Sequence, residues 1–243
     1  MKAKDRTKVY RYSSIAYVID ALTRREIRLL DPSSWIDKND SLYMNFYKQF
    51  RGVANVFASC CTLSKETFQH WYIFGGSSAG AFIEYDRAKL EACFEALKTK
   101  GHKLRYESVS YLTLERVEKP QATLERFPFL KRWGFEAEKE YRIIAETNDE
   151  TLISYPIPIP LSAINRIVIN PWLPRSVVDS LREVIHSIEG CENLKVDHSR
   201  LIESDRWMAA GVKRLSGHIR NKDPAYKKLR KKRSKNKQPS KKK

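Results

Sequence analysis

The sequence predicts an α+β fold of mixed, mainly antiparallel short strands with helices packed around them, followed by a disordered basic C-terminal tail. Three observations predict it: short runs of β-branched and aromatic residues alternate with segments whose apolar residues recur at helical spacing, turn residues separate the two, and there is no repeat of fixed period. With 243 residues, 42% hydrophobic and 11% aromatic, the chain can bury a sizeable core. One α+β domain is expected over residues 1–215 and the tail over 216–243.

Residues 9–12 read as a first strand, with Arg11 alternating against Tyr10 and Tyr12. Ser13 or Ser14 then caps a helix in which Ile15, Val18, Ile19 and Leu22 share a face through about Arg28. Residues 31–40 make a turn-rich loop that places Trp35 among Asp31, Asp37 and Asp40, either a surface loop held by one buried aromatic or a functional one. Residues 52–61 form a buried strand whose small residues at 58–61 let a backbone or ligand approach closely. Thr62 or Ser64 caps the next helix, where Phe68, Trp71 and Tyr72 cluster at spacings of three and four, a pattern more typical of core than of a cofactor box. The glycine-rich stretch 75–80 lacks the spacing of a phosphate-cradling loop and reads as a hairpin turn into a strand at 81–85.

Asp86 caps a helix with Leu90, Cys93, Ala96 and Leu97 facing inward and Gly101 at its end. Residues 105–112 alternate as a strand, and 114–132, broken by Pro120 and Pro128, hold a helix around 122–126. Pro156, Pro158 and Pro160 keep the segment from Leu152 onward from pairing on both sides. A strand at 165–170, a helix at 175–188 ending at Gly190 and a last strand at 194–196 complete the domain.

The stretch 133–146 packs four acids and an arginine into a segment that otherwise reads as a strand. Read as a strand, it places Glu136, Glu138, Glu140 and Arg142 on one face, with Tyr141, Ile143 and Ala145 on the other. A row of carboxylates is either an edge protected by charge or part of a site. The cysteines at 60, 61, 93 and 191 lack zinc-ligand or disulfide-framework spacing and read as reduced core thiols. The five scattered histidines make no metal motif, so no metal site is predicted. No apolar run is long enough for a membrane span and no signal core follows the N-terminus, which points to a cytoplasmic protein without a membrane partner. The formal net charge is +17 at pH 7, and from Lys222 onward twelve Lys or Arg stand against one acid, Asp223. Such a tail, with Lys227, Lys228, Arg230, Lys231, Lys232 and Arg233 at its centre, suits nucleic acid or another polyanion.

The order of landmarks resembles a prokaryotic family, domain of unknown function 2971. They are Tyr10-Arg-Tyr12 before a helix, Asp31-Pro32 with Trp35 and Asp40, Ser59-Cys-Cys-Thr62, Trp71 with Phe74, Ile83-Glu-Tyr-Asp86, and Trp133 with Glu138-Lys-Glu-Tyr-Arg142. The resemblance covers residues 9–188; the family commonly has tyrosine where Phe74 stands, and it implies a mobile-element or phage-defence setting. More loosely, Arg11, then Ser59 to Thr62, then Glu138 and Glu140 resemble the order of motifs in ADP-ribosyltransferases. That resemblance implies an NAD-dependent transferase with Glu140 as the catalytic carboxylate and Glu138 orienting an unknown acceptor. It also implies Arg11 as dinucleotide anchor, Ser59 and Thr62 as small strand residues against the cofactor, and Trp71 or Tyr72 stacked on nicotinamide. Two alternatives stay open: a nucleic-acid-binding accessory module that works through the tail without catalysis, and a magnesium nuclease using Glu136, Glu138, Glu140 and Asp37 or Asp40.

Overall fold

The chain enters its main sheet at once. β1 (Lys8–Ser14) leads into α1 (Ile15–Arg24), where the Ser14 hydroxyl caps by accepting the Tyr17 N–H. The helix ends before the expected Arg28 because Arg25 takes a left-handed conformation (φ 56°) and closes its N–H on the Ala21 carbonyl. β2 (Glu26–Leu30) follows. In place of a loop over 31–40, one 3-10 turn (Pro32–Ser34) leads to α2 (Lys38–Arg51), capped by the Asp37 carboxylate on the Asn39 N–H and ended by Gly52 at φ 61°. The computed structural model describes residues 7–75, 79–119 and 122–215.

β3 (Asn55–Thr62) precedes α3 (Phe68–Phe74), whose cap is Thr67 and not Thr62 or Ser64. Thr62 stays in the strand, where its hydroxyl accepts the Ser64 N–H and donates to the Glu138 carbonyl at 2.6 Å. β4 (Gly80–Asp86) starts at a glycine that no other residue replaces without a shift: a Cβ there would lie 1.5 Å from the Gly75 carbonyl oxygen. Asp86 caps α4 (Arg87–Thr99), which buries Leu90, Phe94 and Leu97; Phe94 takes the inward place expected of Cys93 and Ala96. The strand expected over 105–112 is two strands, β5 (Lys103–Ser108) and β6 (Ser110–Leu112), which join different sheets.

α5 (Leu114–Val117) is a single turn, and a 3-10 segment (Leu124–Phe129) replaces the helix expected around 122–126. β7 (Leu130–Arg132), β8 (Glu140–Thr147), β9 (Ser154–Pro158), β10 (Ile164–Ile169), α6 (Arg175–His186) and β11 (Val196–His198) follow. The last strand lies two residues beyond its expected start. The chain divides into two compact units, Met1–Ser199 and Arg200–Lys243, and the described part of the second contains α7 (Asp205–Leu215). The tail residues singled out above, Lys227, Lys228, Arg230, Lys231, Lys232 and Arg233, lie outside the described residues. Among those described, no helix is long and apolar enough to cross a membrane.

β3 is the branch point of the nine-stranded sheet. One of its edges pairs along its length with β8, and β8 pairs onward with β5. Its other edge is shared: β1 meets it at Thr62, opposite Tyr10, and β2 meets it at Ala58, opposite Leu30. The sheet therefore forks. β1 continues to β4, β10 and β11, and β2 continues to β9. The described pairings are antiparallel except β10 with β11 and β6 with β7, in line with the mixed, mainly antiparallel expectation.

Side-chain alternation then gives the sheet two unlike faces. On the first, Val9, Phe57, Cys61, Ile83, Tyr141, Ile143 and Ile167 join residues of α1, α4 and α6 in one large apolar cluster. The second face holds two smaller clusters, one of Tyr10, Trp71, Phe82 and Val168, the other of Met44, Tyr47, Val56, Ala58, Phe129 and Ile144. Each fully buried large apolar side chain stabilises the fold by roughly 1.5–3 kcal/mol, so the first face carries most of the hydrophobic driving force.

Candidate active site

The acidic stretch folds differently from the long strand expected. Trp133–Glu138 is a 3-10 turn, Lys139 is left-handed (φ 46°), and β8 begins only at Glu140. Glu136 and Glu138 are therefore off the strand, and the shared face of the charge row is reduced to Glu140 and Arg142. The strand is no edge either: it lies between β3 and β5 and is buried from Glu140 to Glu146.

Arg142 is fully buried and explains why such charge is tolerated in the interior. Its Nη1 and Nη2 donate to the two Asp40 oxygens at 2.8 and 2.7 Å, its Nε and Nη2 to Glu140 at 2.7 and 2.9 Å, and Nη1 also to the Pro128 carbonyl at 2.8 Å. The guanidinium lies 4.7 Å from the centre of the Trp35 ring. Lys131 completes the cluster, with Nζ 2.6 Å from Glu138, 3.3 Å from Glu140 and 3.6 Å from Asp40. Burial by itself pushes the Glu140 carboxyl up, but Arg142 and Lys131 outweigh it and hold it down at about 2. For Glu138 burial wins over Lys131 and the carboxyl is raised above its ordinary value. Burial lowers the Lys131 ammonium, but Glu140 and Glu138 raise it by more, so it stays charged.

The two-stranded β6–β7 sheet positions part of this cluster. Its parallel register sets Tyr111 beside Lys131, and the Tyr111 hydroxyl accepts the Glu140 N–H at 2.8 Å. The sequence holds no signal for this partnership, because β6 and β7 are three residues each and meet only in the folded chain.

Between the two small clusters of the second face the sheet is open. Cys60 on β3 is exposed, although Ala58 and Thr62 on the same face are buried. It is nevertheless deep among protein atoms, and burial pushes its thiol well up, with Glu140 adding to the effect. Cys60 is thus a position on a central strand that solvent reaches. The expectation of four core thiols fails at Cys60, which lies between the positions where β1 and β2 pair with β3, and at Cys93, which is half-buried.

The residues expected to form one site separate into two groups. Glu138, Glu140 and Thr62 converge on the open face, in the row Glu84–Tyr10–Thr62–Glu140 that crosses four strands. Arg11 and Ser59 do meet, Nε to Oγ at 3.1 Å, but they point with Val9 and Phe57 into the opposite face, where Arg11 acts electrostatically on Cys61 and Tyr85. Trp71 is wholly buried, with its indole N–H on Glu66 at 2.7 Å and Tyr12 and Phe82 against its ring, so it has no face for a ligand. Tyr72 is exposed and stacks on Phe68, which in turn meets Trp172. Asp40 and Glu140 are committed to Arg142, which removes two of the carboxylates proposed to hold magnesium, and among the described residues no group of three or more His, Cys, Asp or Glu is placed to hold a metal ion.

No protein-family model matches the chain, so the expected membership of domain of unknown function 2971 is not confirmed. No curated protein matches it. Solved structures similar in chain path include Thermus sp. 2.9 DarT in complex with NAD+, 8% identical with a TM-score of 0.40 over 80% of this chain and 96% of that chain. They also include Thermus sp. 2.9 DarT in complex with ADP-ribosylated ssDNA, 11% identical with a TM-score of 0.40 over 81% of this chain and 95% of that chain. Likeness at this level assigns no residue here a role.

Proposed function

We propose that the chain is an ADP-ribosyltransferase-like enzyme that breaks the nicotinamide–ribose bond of NAD in the cleft over Cys60. One observation carries this reading: at the wall of a solvent-reached gap in a central strand stand two carboxylates whose environments drive their proton affinities apart, Glu140 down and Glu138 up. Such a divided pair supplies one permanent anion and one proton acceptor. As nicotinamide leaves with the bonding electron pair, positive charge develops on the ribose C1 and ring oxygen, and the fixed charge of Glu140 stabilises it. The acceptor's nucleophilic atom bonds to C1 and releases its proton to Glu138. Arg142 and Lys131 keep Glu140 ionised and in place. Arg11, turned to the other face, ties the fork through Ser59 and is not assigned to the cofactor.

Release of nicotinamide from NAD by the full chain tests the reading. Glu138→Gln is expected to lose about 10²–10⁴-fold in rate while unfolding as the wild type does. Glu140→Gln loses at least as much. Wild-type release no faster than in buffer, or equal rates in all three proteins, would sink the assignment.

The charge of the chain's end favours a second reading, nucleic-acid binding through the residues from Lys222 onward, with twelve cations against one acid. Deleting 222–243 separates the two. Loss of all activity together with its steep salt dependence supports binding, whereas retained NAD turnover supports the enzyme.

A further inference from the structure

Two atoms of the charged cluster are uncommitted. Tyr111 spends its hydroxyl oxygen on the Glu140 N–H at 2.8 Å, which leaves its own proton with no protein acceptor among the described residues. Glu138 gives Oε2 to Lys131 at 2.6 Å, and its Oε1 receives no donor among the described residues. Donor and acceptor flank the same cation, since Lys131 is in register with Tyr111 and is shared by Glu138 and Glu140. Both side chains are only partly buried, in contrast to Glu140 and Arg142.

A structural role accounts for half of what Tyr111 does. β5 stops pairing with β8 at Ser108 opposite Tyr141, and beyond it the Val109 N–H takes the Glu140 carbonyl at 2.9 Å and Tyr111 takes the Glu140 N–H. The phenol thus stands in for a missing ladder partner. That uses the oxygen as an acceptor and leaves the proton aimed elsewhere.

We propose that Tyr111 is a ligand-contacting residue whose O–H donates a hydrogen bond to a sugar hydroxyl, while that hydroxyl donates one to Glu138 Oε1. A hydroxyl is the group that accepts and donates at one oxygen. The proposal rests on the reading of the cleft as an NAD site and names what the cleft recognises there: a hydroxyl of the ribose next to the bond that breaks.

The test is calorimetric titration of the full chain with ADP-ribose and with analogues lacking the 2- or the 3-hydroxyl on the terminal ribose. Wild type is expected to bind ADP-ribose roughly tenfold more tightly than one of the two analogues, the size of one hydrogen bond. Tyr111→Phe is expected to lose that factor for ADP-ribose and almost nothing for that analogue. If the substitution weakens every ligand equally, Tyr111 is a ladder cap only and the proposal is overturned, with the NAD reading intact. Equal wild-type affinity for ADP-ribose and both analogues overturns it in the same way, without needing any variant to fold. If wild type binds neither ADP-ribose nor NAD, the NAD reading fails and the proposal fails with it.

Discussion

The two faces of the sheet are built from the same strands and differ in what closes them. The first is sealed by three helices over one apolar cluster, with the polar pair Arg11 and Ser59 at the fork. The second is covered in two pieces that leave Cys60 open between them, with a buried ionic cluster against the gap. One face therefore carries the stability, and the other carries charge that contributes to stability only while every partner is present. A buried ion pair repays its desolvation poorly, but losing one member is costly.

That difference orders the expected effects of perturbation. Arg142→Met leaves Asp40 and Glu140 with Lys131 as their remaining cation and should lower unfolding free energy by about 3–5 kcal/mol in denaturant titrations. Acid should act through the same cluster. Glu140 is depressed from 4.5 to about 2, so its contribution is complete above pH 4.5 and disappears as pH falls through about 2. Glu140's share, on the order of 3 kcal/mol, is expected to go in that window, offset in part by Asp40 and Glu138, whose carboxyls are raised and which add stability as pH falls. Glu140→Gln should remove the loss, and an unchanged acid profile in that variant would contradict the network. On the sealed face, Ile143→Ala should cost about 2–4 kcal/mol, whereas Cys60→Ala on the open one should stay within about 0.5 kcal/mol. Similar costs at both positions would erase the distinction between the faces.

The sequence was most legible where local physics decides the structure. Caps at Ser14 and Asp86 follow from their own side chains, and alternation along β8 correctly separates Glu140 and Arg142 from Tyr141 and Ile143. The boundary of that strand was not legible, because a left-handed Lys139 is a choice made by the surrounding fold and not by lysine. α2 was hidden for a different reason: Leu42, Phe46 and Phe50 are exposed while Met44 and Tyr47 are buried, so its apolar residues do not mark one face. The partner of Arg142, Asp40, is 102 positions away, and nothing local points to it. The openness at Cys60 depends on where β1 and β2 leave β3, a property of pairing that composition does not encode. The candidate site was thus visible as a charge row and a small-residue strand, but Arg11 points to the opposite face and Trp71, on the open face, is wholly buried.

The most direct measurement is the labelling rate of Cys60 by a small thiol reagent, followed by peptide mass spectrometry, with and without NAD. Without NAD, Cys60 should label slowly, because its thiol is pushed up, and its buried neighbour Cys61 should not label. With NAD at ten times its dissociation constant, labelling of Cys60 should slow about tenfold, because bound ligand covers the cleft floor. A Cys60 rate unchanged by saturating NAD, while the half-buried Cys93 labels as before, would contradict the placement of the ligand on this face.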